Sequence, residues 1–246
     1  MREPRVKIEG EGYYHLYSRI VLGNFLIDEK KKAKLLEMLK KVAYFSGMEV
    51  LTYAIMDNHF HVLVHVLPKD GITREVVLER YAVLYGEDEA EELKEKWENW
   101  EKAGMEHRIN EEMEILTARM GDISRFMQNL KQRFTQTYNL MTGNRGTIWQ
   151  GRFGSTLVEG KMGTLAHFAT YIEENPVRAG IAKKAGDYKY TGLGAAKKGD
   201  ETAQNGISGI YFGCPICEAM ASFEGMLAVR HFEKRSEELI SSAVAG

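Results

Sequence analysis

Polar and apolar positions alternate strictly between His59 and Val66. His59, His61, Leu63 and His65 fall on one side of an extended chain, and Phe60, Val62, Val64 and Val66 on the other. A period of two predicts a strand from His59 to Leu67. A β-rich run from Glu49 to Met56 precedes it, and only Asp57-Asn58 separates the two, which predicts a hairpin. Glu11 to Ile20 is aromatic and β-branched enough for a further strand. Elsewhere the period lengthens. Leu35, Leu36, Leu39 and Val42 recur at helical spacing, and Asp28 can cap a helix running through Phe45. Helix is also expected over the acidic stretch 72–104, from about 110 to Tyr138 with a stop near Gly143, and from Met162 to Glu174, where Asn175-Pro176 ends it. Gly143 to Ser155 reads as a loop or short hairpin, and a helix-like stretch runs from Glu218 to Ala243. The pattern predicts an α+β fold with helices on a mainly antiparallel sheet.

Composition narrows the class without naming a function. The chain has 246 residues, 44% hydrophobic and 28% charged, with four prolines and no low-complexity tract, so a folded core is expected rather than disorder. The opening run lacks the apolar core of a secretory signal, and the most apolar stretch, Leu51 to Pro68, carries an Asp, an Asn and three His. Neither a leader nor a membrane span is expected. Two cysteines, Cys214 and Cys217, are too few for a disulfide framework, and a cytoplasmic location is expected. With His231 as the one further candidate downstream they do not make a four-ligand zinc set.

The net charge of −2 conceals a segregation. From Tyr85 to Glu114 twelve acids face four bases, whereas from Arg125 to Lys184 nine bases face three acids. A basic surface of that kind suits a nucleic-acid backbone, though a solvated helix face would read the same way on charge alone.

The candidate chemistry starts from His59 and His61, which project in parallel from one strand face. A bare His-x-His is more often a pair of buried, hydrogen-bonded imidazoles than a metal seat. Tyr171 and Asn175 stand four residues apart in a helical context and can address one point in space. Two imidazoles and an amide oxygen with open positions suit Mg²⁺ or Mn²⁺ better than a closed structural zinc. A phenol beside such an ion can attack a phosphodiester, while a packing tyrosine is the plainer alternative.

Three separated runs then carry a resemblance. Met56-Asp57-Asn58-His59-Phe60-His61-Val62-Leu63-Val64, Gly146-Thr147-Ile148-Trp149-Gln150-Gly151-Arg152-Phe153 and Tyr171-Ile172-Glu173-Glu174-Asn175-Pro176-Val177-Arg178-Ala179-Gly180 closely resemble the REP-associated tyrosine transposases. These are single-tyrosine members of the HUH superfamily. The resemblance spans roughly Arg5 to Thr191. It implies a ferredoxin-like antiparallel sheet with helices on one face, an acidic helical insertion at about 72–110, and a C-terminal extension over 196–246 beyond a domain at 1–195. It further implies metal ligands at His59, His61 and Asn175, a divalent ion (Mg²⁺ or Mn²⁺), and Tyr171 as nucleophile, with Tyr138 in reserve. The implied partner is single-stranded or hairpin DNA, and the implied state a monomer or homodimer. Cleavage would pass through a 5′-phosphotyrosine link. A non-catalytic hairpin-binding protein, or a phosphodiesterase using water, are the competing readings. For DNA contacts, Arg125, Lys131 and Arg133 on one helix are expected to track phosphates and Arg178 to assist; Trp149, Arg152 and Phe153 could stack on unpaired bases, or the aromatics could equally be the core of a folded hairpin.

Overall fold

The computed structural model describes residues 6–8, 10–21 and 27–244, with the side chains of 231–244 excepted. Its order begins β1 (Gly12–Arg19), α1 (Glu29–Phe45), β2 (Met48–Ile55) and β3 (His59–Val66). The acidic stretch follows as α2 (Arg74–Tyr85), α3 (Glu87–Lys102) and α4 (Glu106–Thr117). Then come α5 (Ile123–Thr142), β4 (Gly154–Val158), α6 (Met162–Glu173) and α7 (Asn175–Arg178). The chain closes with α8 (Gly192–Ala196), α9 (Glu201–Ile210) and α10 (Ile216–Val244).

The four strands pair in the order β2-β3-β1-β4, every neighbour antiparallel, which is the ferredoxin-like arrangement the resemblance implies, but helices pack on both faces of the sheet rather than one. Alternation decides what each face of the sheet does. Tyr14, Leu16, Phe60, Val62 and Val64 are all buried on one face, where α1 and α5 pack against each other and Phe60 and Phe134 both meet the Trp149 ring. His15, His61 and Leu63 occupy the other face. There α6 lies against the sheet and brings Phe168 and Tyr171 up to the histidines.

Local chemistry explains the boundaries. Asp28 caps α1 by accepting from the Lys31 amide, as expected. The long helix expected from about 110 is instead two helices, because Gly121 turns back at φ +63 and Asp122 then accepts from the Ser124 and Arg125 amides to start α5. The hairpin turn is pinned from both sides. Ile20 donates to the Asn58 carbonyl and Ile27 to that of Asp57, while the buried Lys32 ammonium pairs with the Asp57 carboxylate at 2.6 Å.

The acidic helices stay on the far layer. α2 packs on α1, and α3 and α4 pack on α2, so their charge is attached to the layer opposite the histidines. Trp97, Ile109 and Leu116 form their buried seam, tied by the Trp97 indole donating to Glu112.

The segment after 187 joins the same core. Ile55 donates to the Tyr190 carbonyl, the Tyr188 hydroxyl to the Ile55 carbonyl, and Thr191 bridges to Ala54, so the chain lies along the free edge of β2. Ala203, Ile207, Ile210 and Phe223 are buried in the common cluster. Fully buried Glu173, the last residue of α6, holds this strap: its Oε1 accepts from the Thr52 hydroxyl at 2.5 Å and from the Leu193 amide at 2.8 Å. Burial pushes its carboxyl up to about 7, against the pull of those hydrogen bonds. The folded state therefore binds a proton that the unfolded chain releases near the ordinary carboxylate value. That contribution is complete at mild acid and disappears as pH rises through about 7, at about 1.4 kcal/mol per pKa unit. Thermal unfolding followed by circular dichroism should give a Tm that falls between about pH 6.5 and pH 8. Glu173→Gln should flatten that fall; an unchanged slope in the variant would assign it elsewhere.

Candidate active site

β3 carries His59 and His61 two residues apart, with ring centroids 5.2 Å from each other and planes nearly perpendicular. Their cross-strand partners are Arg19 and Tyr17 on β1, and Ala54 on β2 stands opposite His61. Each histidine is held by its Nδ1. That of His59 lies 2.6 Å from Asn58 Oδ1, and that of His61 lies 2.9 Å from Nε2 of His15. An amide oxygen can only accept, so His59 carries its proton on Nδ1 and keeps the Nε2 lone pair open. No hydrogen bond among the described residues occupies Nε2 of His61.

Electrostatics favour the neutral rings. Burial pulls His61 down to about 3, with the neighbouring His15, His59, Arg178 and Arg19 adding to the effect. Burial alone takes His15 down to about 4, and His59 is lowered by burial and Arg19 against the pull of Asp57. Neutral imidazoles with Nδ1 engaged and Nε2 open are what a divalent ion needs from such ligands.

Tyr171, near the end of α6, faces His61 and His15. Its ring centroid lies 6.0 Å from those of both His61 and His15, edge-on in each case. The Arg178 guanidinium sits over the Tyr171 ring at 4.4 Å, donates to the Tyr171 carbonyl at 3.0 Å, and pairs with Glu174. Arg230 of α10 reaches the same Glu174 carboxylate at 3.2 Å, so the last helix braces the turn below the tyrosine. Asn175 opens α7, and its amide nitrogen donates to the Tyr171 and Ile172 carbonyls. Those bonds leave its oxygen as the atom with ligating capacity. Among the described residues no cluster of three His, Cys, Asp or Glu side chains could hold a metal; His59 and His61 stand side by side, and the Asn175 amide nitrogen is turned to the end of α6. Two imidazoles joined by a carboxamide oxygen would make a mixed nitrogen and oxygen set of the kind that suits Mg²⁺ or Mn²⁺.

The other predicted residues divide. Lys131 and Arg133 stand about 200° apart around α5 and do not form one track. Lys131 donates to the Gly151 carbonyl, while Arg133 lies over the Tyr85 ring at 4.8 Å; only Arg125 is exposed near the start of the helix. Trp149 is a core residue. It is buried, its indole donates to the Lys131 carbonyl and the Thr135 hydroxyl, and it offers no free face for a base. Phe153 is half-buried against the core, and Arg152 is exposed. Tyr138 is buried beside Phe134, away from the histidines. His65 is engaged by Glu49 and Glu11 at its two nitrogens and stacks on Tyr13. Cys214 and Cys217 are free thiols, and the side chain of His231 lies outside the described residues. Sequence reading missed His15, Asn58 and Arg19 as parts of the site. Arg19 stands opposite His59, and His15, opposite Leu63, reaches His61 along the same sheet face, a signal visible only once the register is known.

Residues 10–103 match the model of the IS200-like transposase family. The match bears out the transposase resemblance over β1 to α3, which includes His15, His59 and His61 but stops well before Tyr171. Among solved structures, a REP-associated tyrosine transposase bound to a REP hairpin aligns with a TM-score of 0.52 and 16% identity, covering 79% of this chain and 84% of that one. At that identity the likeness is one of fold. A chain described as a transposase from Deinococcus radiodurans R1 aligns at a TM-score of 0.33 and 15% identity, over 71% of this chain and 97% of that one. No curated protein matches the chain. Among the described residues no helix is long and apolar enough to cross a membrane.

Proposed function

We propose that the chain is a metal-dependent, single-strand DNA transposase or nickase that cuts and rejoins DNA beside a hairpin through Tyr171. The observation that carries this reading is the edge-on approach of the Tyr171 ring to His61, whose neutral imidazole is fixed by His15. His59, His61 and Asn175 would hold Mg²⁺ or Mn²⁺. Once bound, such an ion polarises the scissile phosphate and offsets the charge that develops on it. The Tyr171 oxygen attacks phosphorus, the P–O3′ bond breaks, and the phenol proton is balanced by the released 3′-hydroxyl. The product is a 5′-phosphotyrosine ester that keeps the bond energy, so a second 3′-hydroxyl can reverse the step without ATP. Arg178, over the ring, sets the tyrosine's orientation and lies where the phosphate would enter. Residues 1–195 would carry this chemistry, with 196–246 as a bracing extension. The setting would be cytoplasmic and the active species a monomer or homodimer.

The DNA solved with the aligned transposase is a REP hairpin, and a hairpin with a short single-stranded flank is the substrate class proposed here. The experiment mixes purified protein, Mn²⁺ and such an oligonucleotide, and runs a denaturing gel. A denaturation-resistant adduct is expected. Hairpin binding without adduct would favour a non-catalytic binder, and free 5′-phosphate without adduct would favour water as nucleophile.

Affinity should fall steeply with salt, because exposed cations such as Arg125, Arg152 and Arg178 would displace counterions from the backbone. Arg125→Ala and Arg152→Ala should each reduce the salt slope by about one. A flat dependence in filter binding from low to moderate salt would contradict the backbone contacts.

A further inference from the structure

Tyr17 is left over by this account. It stands on β1 directly opposite His61, on the face that carries the site, and its neighbours His15 and His61 are almost fully buried while Tyr17 itself is 44% exposed. Its ring lies 5.6 Å from the His61 ring at 29°, and 5.6 Å from that of His15. On the other side it crosses β4 at Gly154, its antiparallel partner. A Cβ at Gly154 would come within 2.1 Å of the Tyr17 ring, so the flat pose depends on that position having no side chain. Large exposed aromatics are normally loosely placed. Here the ring is wedged between a strand backbone and a histidine, two residues from Arg19, and it shares His15 and His61 as ring neighbours with Tyr171.

We propose that Tyr17 is a stacking platform for the nucleobase next to the scissile phosphate. The inference rests on the function proposed above. A phosphate held at His59 and His61 within reach of Tyr171 must carry its flanking nucleotides along the neighbouring strands, and on one side that path runs over Tyr17. An unpaired base has an apolar face to bury, and an immobilised aromatic ring accepts it with little loss of side-chain entropy. Stacking reads the π-face rather than a hydrogen-bond pattern, so this residue grips the strand near the cut, whatever base stands there. The hydroxyl plays no part. This separates the platform from a second nucleophile.

The probe is a hairpin oligonucleotide with a single-stranded flank, in which 2-aminopurine replaces each flank base in turn. With the full chain, fluorescence at one flank position should be quenched on binding. Tyr17→Leu should abolish that quench and weaken binding about tenfold. Tyr17→Phe should retain both the quench and the wild-type rate of adduct formation. Gly154→Ala, which leaves Tyr17 in place but pushes its ring off β4, should lose the quench as Tyr17→Leu does. An unaltered quench in Tyr17→Leu overturns the platform while leaving the transposase reading intact. Loss of adduct in Tyr17→Phe also overturns it, by giving the hydroxyl a chemical role. Absence of hairpin binding by the wild-type chain sinks both inferences, and is recognised before any variant is made.

Discussion

Tyr171→Phe should lower adduct formation about a thousandfold or more while hairpin Kd stays within about twofold. The asymmetry follows from what the substitution keeps. Phe retains the edge contacts to His61 and His15 and the face under Arg178, so α6 keeps its seat and only the oxygen is removed. A nucleophile has no substitute in the remaining set. Tyr138 is buried beside Phe134, and Tyr17, although close to His61, is assigned a stacking role. Single-turnover gels at saturating oligonucleotide would measure the rate, and fluorescence anisotropy the affinity. A variant that still forms adduct at near wild-type rate would remove Tyr171 from the mechanism.

Removal of an imidazole should be nearly as severe. His61→Ala and His59→Ala should each abolish metal-stimulated cleavage and weaken Mn²⁺ binding in titration calorimetry beyond detection. His15→Ala should have an intermediate effect, about 10–100-fold in metal affinity, because it orients a ligand without being one. Acid should act on the same residues with a definite sign. Burial depresses His15 to about 4 and His61 to about 3, so the folded state holds fewer protons there than the unfolded chain. Their contribution to stability is complete above the ordinary histidine value and is lost as pH falls through those two values, by on the order of a few kcal/mol. The acid limb of stability and the alkaline limb from Glu173 therefore bracket an optimum near neutral pH. In His15→Ala the acid limb should be shallower; an equally steep limb would place it on other groups.

The contrast between what could and could not be read in the chain has a physical basis. β3 was legible because a two-sided burial pattern repeats at every second residue, and the hairpin followed from two turn-formers between β-rich runs. The cap at Asp28 was a local interaction and was visible as one. The break at Gly121 lay inside an otherwise helical pattern, and only the positive φ reveals it. His15 meets His61 across 46 residues of sequence, and Glu173 meets Thr52 across 121, so no local period could announce either. Trp149 is open to two readings in the sequence, and burial decides between them. Its Gly- and Arg-rich surroundings suggested a surface loop, but its bridge to Ile20 and its bonds to α5 draw the ring into the core. Tyr17 reads in sequence as any strand aromatic, because Gly154, the partner that its ring crosses, lies far along the chain.

Mapping the covalent bond tests the chemistry at its centre. After incubation with Mn²⁺ and the hairpin oligonucleotide, the protein is digested with trypsin and nuclease, and the peptides are sequenced by mass spectrometry. A 5′-linked nucleotide on Tyr171, absent when Mn²⁺ is chelated, is the expected result. An unmodified Tyr171 alongside a cleaved strand, or a nucleotide on any other side chain, would contradict the mechanism.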